Sequence, residues 1–192
     1  MKIGLIGAGR LGLCLALLMD KAGYSVIASD VREDYIDGLQ MGEVTTTEPL
    51  VGQYLDSARR IEFTTDNLRV IEESDIIFTL VLTPSLENGS YDVSNVDDVV
   101  SDILKYGWDK DLSNKSLVIG CTTNPGDCDF FQDRLSETGI SVFYNPEFIA
   151  QGSIIKDLQN ADMVLLGGDG KHKGNLVTVS YTHLTLPTTD RV

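Results

Sequence analysis

Three glycines in the stretch "GAGRLG", Gly7, Gly9 and Gly12, are spaced to hold a diphosphate. In a GxGxxG the first glycine permits a tight turn, the second lets a pyrophosphate approach the backbone, and the third allows close packing of helix on strand. The N–H groups at the start of the helix then supply the positive potential an anion needs, with no Lys or Arg required. Asp30 follows about 20 residues beyond the glycines, where a carboxylate accepts hydrogen bonds from a ribose diol. Together these residues predict a dinucleotide site. Asp30 favours NAD, because it would repel a 2′-phosphate, while Arg32 nearby keeps NADP open.

Three further segments carry polar groups beside a proline: "VLTP" (Val81 to Pro84), "CTTNPGD" (Cys121 to Asp127) and "YNPEF" (Tyr144 to Phe148). The first two bring hydroxyls and the third brings an acid, Glu147. Each by itself reads as an ordinary Pro-containing turn. At the ends of successive strands, beside a dinucleotide fingerprint, they are expected to converge on one crevice.

The elements that must position these groups follow from the apolar runs. Lys2 to Ile6 reads as a buried strand, Leu11 to Lys21 as a helix, Ser25 to Ser29 as a strand and Glu33 to Met41 as a helix. Strands are also expected at Ile61 to Thr64, Ile76 to Leu82, Leu117 to Cys121, Val142 to Tyr144 and Met163 to Leu166. Helices are expected near Asn67 to Glu73, Ser94 to Lys105, Asp127 to Glu137 and Ser153 to Leu158. Strands alternating with helices imply an α/β fold, a doubly wound, mainly parallel Rossmann-type sheet with helices on both faces. Such sheets bind ligands at the carboxyl ends of their strands.

Composition narrows the partners. The 192 residues, 42% of them hydrophobic, can bury the core of one domain or slightly more. With 15 basic against 29 acidic residues the net charge is -14, which disfavours nucleic acid and anionic membranes. Cys14, Cys121 and Cys128 form no CxxC and no Cys/His cluster, so no metal site is expected and a reduced, cytoplasmic location fits best. The N-terminus imitates a signal peptide, but Arg10 and the glycines interrupt its apolar run. No stretch approaches the ~18 uninterrupted apolar residues of a membrane span.

"MKIGLIGAGRLGL", Asp30, "TEPL" (Thr47 to Leu50), "FTTD" (Phe63 to Asp66), "VLTP", "CTTNPGD" and "NPEFIAQGSIIKDL" resemble, in that order, the UDP-glucose/GDP-mannose dehydrogenase family. The resemblance runs from Met1 to about Gly168, and its most specific element is the NPEF segment with the G-S-x-x-K-D-L helix. It implies NAD-dependent oxidation of the C6 alcohol of a nucleotide sugar, UDP-glucose-like or GDP-mannose-like, to a carboxylate. The two steps pass through an aldehyde and a thioester on a Cys. It implies Thr122 and Glu147 as catalytic: Thr122 helps hold a water, and Glu147 assists the acid/base steps. Gly7, Ala8, Gly9, Arg10, Leu11, Gly12, Asp30, Val81, Thr83, Pro84, Cys121 and Gln151 are implied to lie along the cofactor. Glu147, Phe148, Ile149, Ala150 and Gln151 are implied along the sugar nucleotide. Lys156 reads as surface or packing. A homo-oligomeric full-length parent is implied as well.

The chain departs from the family pattern at several points. Arg10-Leu11 replaces Tyr-Val, Cys-Thr-Thr-Asn-Pro-Gly-Asp replaces S-T-V-P-P-G-T, and Gln151 replaces an acid. Gln cannot act as a base, so Glu147 carries the proton chemistry alone, or the branch handles a different sugar, or it is less active. Cys121 stands where Ser is usual and is not offered as the nucleophile, which the resemblance assigns to a C-terminal substrate domain. The segment Val179 to Val192 follows no family pattern and resembles an in-frame translation of a sequencing adapter. The expected division is therefore an NAD-binding domain over 1–178 and a disordered, non-native tail over 179–192, the chain being a fragment inactive by itself. Two other readings of the residues are a hydroxyacid or 6-phosphogluconate type of dehydrogenase, and a non-catalytic NAD-binding sensor.

Overall fold

A computed structural model describes residues 1–168. Six strands form one parallel sheet: β1 (Lys2–Ile6), β2 (Ser25–Ser29), β3 (Ile61–Thr64), β4 (Ile76–Thr79), β5 (Ser116–Ile119) and β6 (Ser141–Tyr144). Their spatial order is β3-β2-β1-β4-β5-β6. Parallel neighbours cannot be joined by a hairpin, so every connection must cross the sheet. Helices fill these crossovers: α1 (Arg10–Lys21), α2 (Glu33–Gln40), α3 (Val51–Ser57), α4 (Asn67–Glu73), α5 (Ser94–Gly107) and α6 (Asp127–Leu135), with α7 (Ile154–Gln159) following β6.

Successive side chains of a strand point to opposite faces, and the apolar pattern supplies both faces with a core. Ile3 and Leu5, Val26 and Ala28, and Ile76 and Phe78 enter one core with α1 and α7. Ile6, Ile27, Ile77, Leu117 and Ile119 enter the other, with α4, α5 and α6. From Gly12 to Asp20, α1 is buried along its whole length, as its nearly continuous apolar sequence requires. Burying Leu13, Leu15 and Leu17 stabilises the fold by about 1.5–3 kcal/mol each.

The element limits expected from sequence hold within a few residues, with two differences. Val51–Ser57 forms α3, held by burial of Val51 and Leu55 against α1. Met163 to Leu166 is not a strand: the chain meets β6 just beyond it, through an isolated antiparallel bridge between Gly167 and Tyr144. The expected boundary at Val179 and the tail beyond it lie outside the described residues.

After β1 the chain turns to the face covered by α1, and after β4 to the face covered by α5. The crevice that opens at the carboxyl ends between diverging connections is where doubly wound sheets bind ligands.

Candidate cofactor and active site

A cleft of about 860 Å³ occupies that crevice. Its floor is the turn from β1 into α1. Gly7 has φ 97°, and a Cβ there would lie 2.7 Å from the Leu80 carbonyl oxygen. A Cβ on Gly12 would lie 2.1 Å from the Gly7 oxygen, so the helix can start this close to the strand only with glycine at that position. At Gly9 a Cβ would meet nothing within 4 Å, which leaves open space against bare backbone. Leu13 N–H is the first to close an intrahelical bond, to Gly9 O at 2.8 Å, so the amides of Arg10, Leu11 and Gly12 are the free donors of the helix start, while those of Gly7 and Ala8 are spent on Ser29 O at 2.9 and 2.8 Å. This cradle fits the diphosphate of a dinucleotide.

Asp30 lies at the end of β2 and is 9% exposed. Arg32 holds both carboxylate oxygens: Nε donates to Oδ1 at 2.8 Å and Nη2 to Oδ2 at 2.9 Å. The guanidinium also stacks over the Tyr35 ring at 4.1 Å, and hydrogen bonding to Asp30 raises its pKa further. A ribose diol reaching Asp30 must share the carboxylate with this cation or displace it.

The opposite wall comes from the three loops at strand ends. Asn95 Nδ2 donates to Leu82 O at 2.8 Å and anchors the loop after β4. Asn124 grips the backbone of Tyr91 on both sides, accepting from its N–H at 2.8 Å and donating to its carbonyl at 3.0 Å. That side chain also donates to Asp127 Oδ2 at 2.9 Å. Two departures from the family pattern, Asn124 and Asp127, thus support one another and tie the loop after β5 to the loop after β4. Cys121 lines the cleft, but burial pushes its thiol up to about 12, which leaves little thiolate for nucleophilic chemistry. Thr122 beside it is exposed in the wall.

Glu147 follows β6 and faces the same cleft. No described residue donates a hydrogen bond to its carboxyl, and burial alone raises its pKa to about 7. The residue as a whole is half-buried. Gln151 accepts from Arg10 Nη1 at 2.7 Å, so two more departures from the family pattern meet and join the glycine loop to the acid loop.

The cleft thus brings together Gly7, Gly9, Arg10, Leu11, Asp30, Val81, Thr83, Cys121, Thr122, Glu147, Ile149 and Gln151. Ala8 and Gly12 are buried beneath it, while Pro84, Phe148 and Ala150 lie outside its lining. Asn67, Asn95 and Asp98 line it as well. Their only sequence signal was a place at or near a helix start after a strand. Among the described residues no group of three or more potential metal ligands occurs, and no helix is long and apolar enough to cross a membrane.

Residues 1–185 match the NAD-binding domain model of the UDP-glucose/GDP-mannose dehydrogenase family. GDP-mannose 6-dehydrogenase of Pseudomonas aeruginosa is 28% identical over 97% of this chain and 45% of its own length. UDP-glucose 6-dehydrogenase of Rhizobium meliloti is 31% identical over 88% of this chain and 40% of its own length. In three dimensions the chain is similar to GDP-mannose dehydrogenase from Pseudomonas aeruginosa, solved as a ternary complex. The TM-score is 0.85 at 28% identity, over 96% of this chain and 44% of that one. The chain therefore spans less than half the length of these relatives.

Proposed function

The chain belongs to the UDP-glucose/GDP-mannose dehydrogenase family as its NAD-binding domain, and we propose that it serves an enzyme oxidising the C6 alcohol of a nucleotide sugar to a carboxylate. The substrate would be UDP-glucose-like or GDP-mannose-like, by likeness to the relatives named above. The observation that carries this reading is the shared cleft, with the glycine loop and Asp30 on one side and Thr122 and Glu147 on the other.

NAD, when bound, supplies the hydride acceptor for both oxidations. Gly7 to Gly12 would hold its diphosphate and Asp30 an adenosine ribose. The side chains of this chain manage protons. A carboxyl titrating near 7 can receive the C6 hydroxyl proton close to neutral pH and release it again. Gln151 has no proton to exchange and is engaged by Arg10, so Glu147 is the base of this loop. Thr122 would hold a water in the cleft. The nucleophile for a thioester step is not assigned to Cys121, because burial keeps that thiol protonated. We place the parent enzyme in the cytoplasm, in keeping with the free thiols of Cys14, Cys121 and Cys128, and as a homo-oligomer on the family resemblance alone.

The test follows NADH formation by the full-length parent enzyme with UDP-glucose and GDP-mannose. Glu147→Gln should lower kcat by roughly 100-fold or more while leaving NAD affinity within about twofold. Unchanged turnover in that variant, or no NADH from any nucleotide sugar, would overturn the reading.

A further inference from the structure

The segment Thr47-Glu48-Pro49-Leu50 joins α2 to α3 and takes no part in the chemistry above, yet two features set it apart. Glu48 is only 4% exposed, although most of the surrounding loop is exposed. Leu50 has φ 70°, the single non-glycine left-handed residue among those described. A side chain in that region costs about 1–2 kcal/mol, and such a conformation persists only where its surroundings over-determine it.

A buried carboxylate needs donors, and those of Glu48 come from the acid loop. Gly152 N–H donates to Oε1 at 2.7 Å and Ile154 N–H to Oε2 at 3.3 Å, across 104 and 106 residues of sequence. The first turn of α7 receives no cap from its own Ser153. That hydroxyl bonds Asp157 Oδ2 at 2.6 Å instead. Gly152 directly follows Gln151, and the stretch between β6 and Gly152 carries Glu147. Asn145, at the beginning of the loop, is fixed by its own N–H to Ile119 O at 2.9 Å. Glu48 grips the other end.

We propose that Glu48 is a positioning residue for the acid loop. It fastens Gly152 and Ile154 and so sets where Gln151 and Glu147 stand against the glycine loop. The fastening stands independently of any chemistry, and its catalytic consequence rests on the role proposed for Glu147. Gln at position 48 keeps the shape but turns an NH2 toward one of the two amides, so at most one of the two bonds survives. The left-handed Leu50 fits this role, because the backbone there takes an unfavourable turn immediately after aiming the carboxylate inward.

The 192-residue chain, labelled with nitrogen-15, is compared with its Glu48→Gln variant by amide hydrogen exchange. Exchange at Gly152 or Ile154 should rise at least about tenfold, while the sheet amide of Gly120 stays as protected as before and NADH affinity changes less than about threefold. In the full-length enzyme Glu48→Gln should lower kcat with little effect on KM for NAD. The same change made on top of Glu147→Gln should cost almost nothing further, because the two residues act through one loop. If the Gln variant does not fold, Glu48→Asp, one methylene short but still charged, is read the same way. Unaltered exchange at both amides would overturn the fastening. Raised exchange with unaltered kcat would overturn the positioning role, and so would loss of protection throughout the sheet. If Glu147→Gln itself leaves kcat intact, the role of Glu147 has failed, and the exchange result still decides the fastening.

Discussion

Glu147 is an acid that the fold holds without a donor among the described residues, and this has a measurable effect on stability. An unfolded Glu titrates near about 4.3, whereas burial raises Glu147 to about 7. The folded chain therefore binds this proton more tightly than the unfolded chain. Stability is highest when both are protonated, falls as pH rises from about 4.3 to 7, and is flat above. Glu147→Gln removes the dependence. In urea unfolding the variant should gain about 1–2 kcal/mol relative to the parent between pH 5 and pH 8, less than the full shift implies because the residue is only half-buried. Equal pH profiles would mean the carboxyl is hydrated. The place of Glu147 at a strand end was legible from Pro146 and the apolar run before it. Its altered acidity was not, because that depends on walls contributed by three loops distant in sequence. Asp30 was legible for the same reason of place, but its bidentate grip by Arg32 depends on a local turn that spacing does not reveal.

Among the elements, strands buried on both faces were the most readable, because short continuous apolar runs such as "IIFT" suit a strand covered on both sides. Short pieces held by tertiary contact were the least readable. "VGQYLDS" lacks a capping side chain and contains a glycine, so α3 depends on Val51 and Leu55 reaching α1. "MVLL" is apolar enough for a strand, yet among the described residues it forms no ladder with β6, the isolated bridge being made by Gly167 just beyond it, and Met163 and Leu165 stay substantially exposed. The sheet also carries a cost that patterning hides. Thr79 ends the central strand β4 with a fully buried hydroxyl that has no hydrogen-bond partner among the described residues, and the buried hydroxyls of Ser74 and Ser116 have none either. Thr79→Val keeps the branched shape and removes the unpaired group. It should stabilise the chain by about 1 kcal/mol in urea unfolding, and a loss of stability would mean that the hydroxyl has a partner, such as a bound water.

At the scale of the whole molecule, the cofactor cleft exists only in the folded sheet, so a ligand bound there stabilises the native state by mass action. NADH at about 100 times its Kd should add about 2.7 kcal/mol, which for a chain of this size raises Tm by roughly 5–10 °C. NADPH at the same concentration should raise it less, because Asp30 meets the 2′-phosphate. A larger shift with NADPH would mean that Arg32 releases Asp30 and takes the phosphate itself. The order of the strands adds a consequence in time. Every ladder is parallel, and the one that frames the cleft pairs Ile3 with Ile76, roughly 70 residues later, so the site depends on the least local of the strand pairings. A chain still searching for that pairing has no place to put a dinucleotide. The ligand should therefore leave the rate of refolding almost untouched and act by slowing unfolding, extending the lifetime of a fold it had no part in assembling.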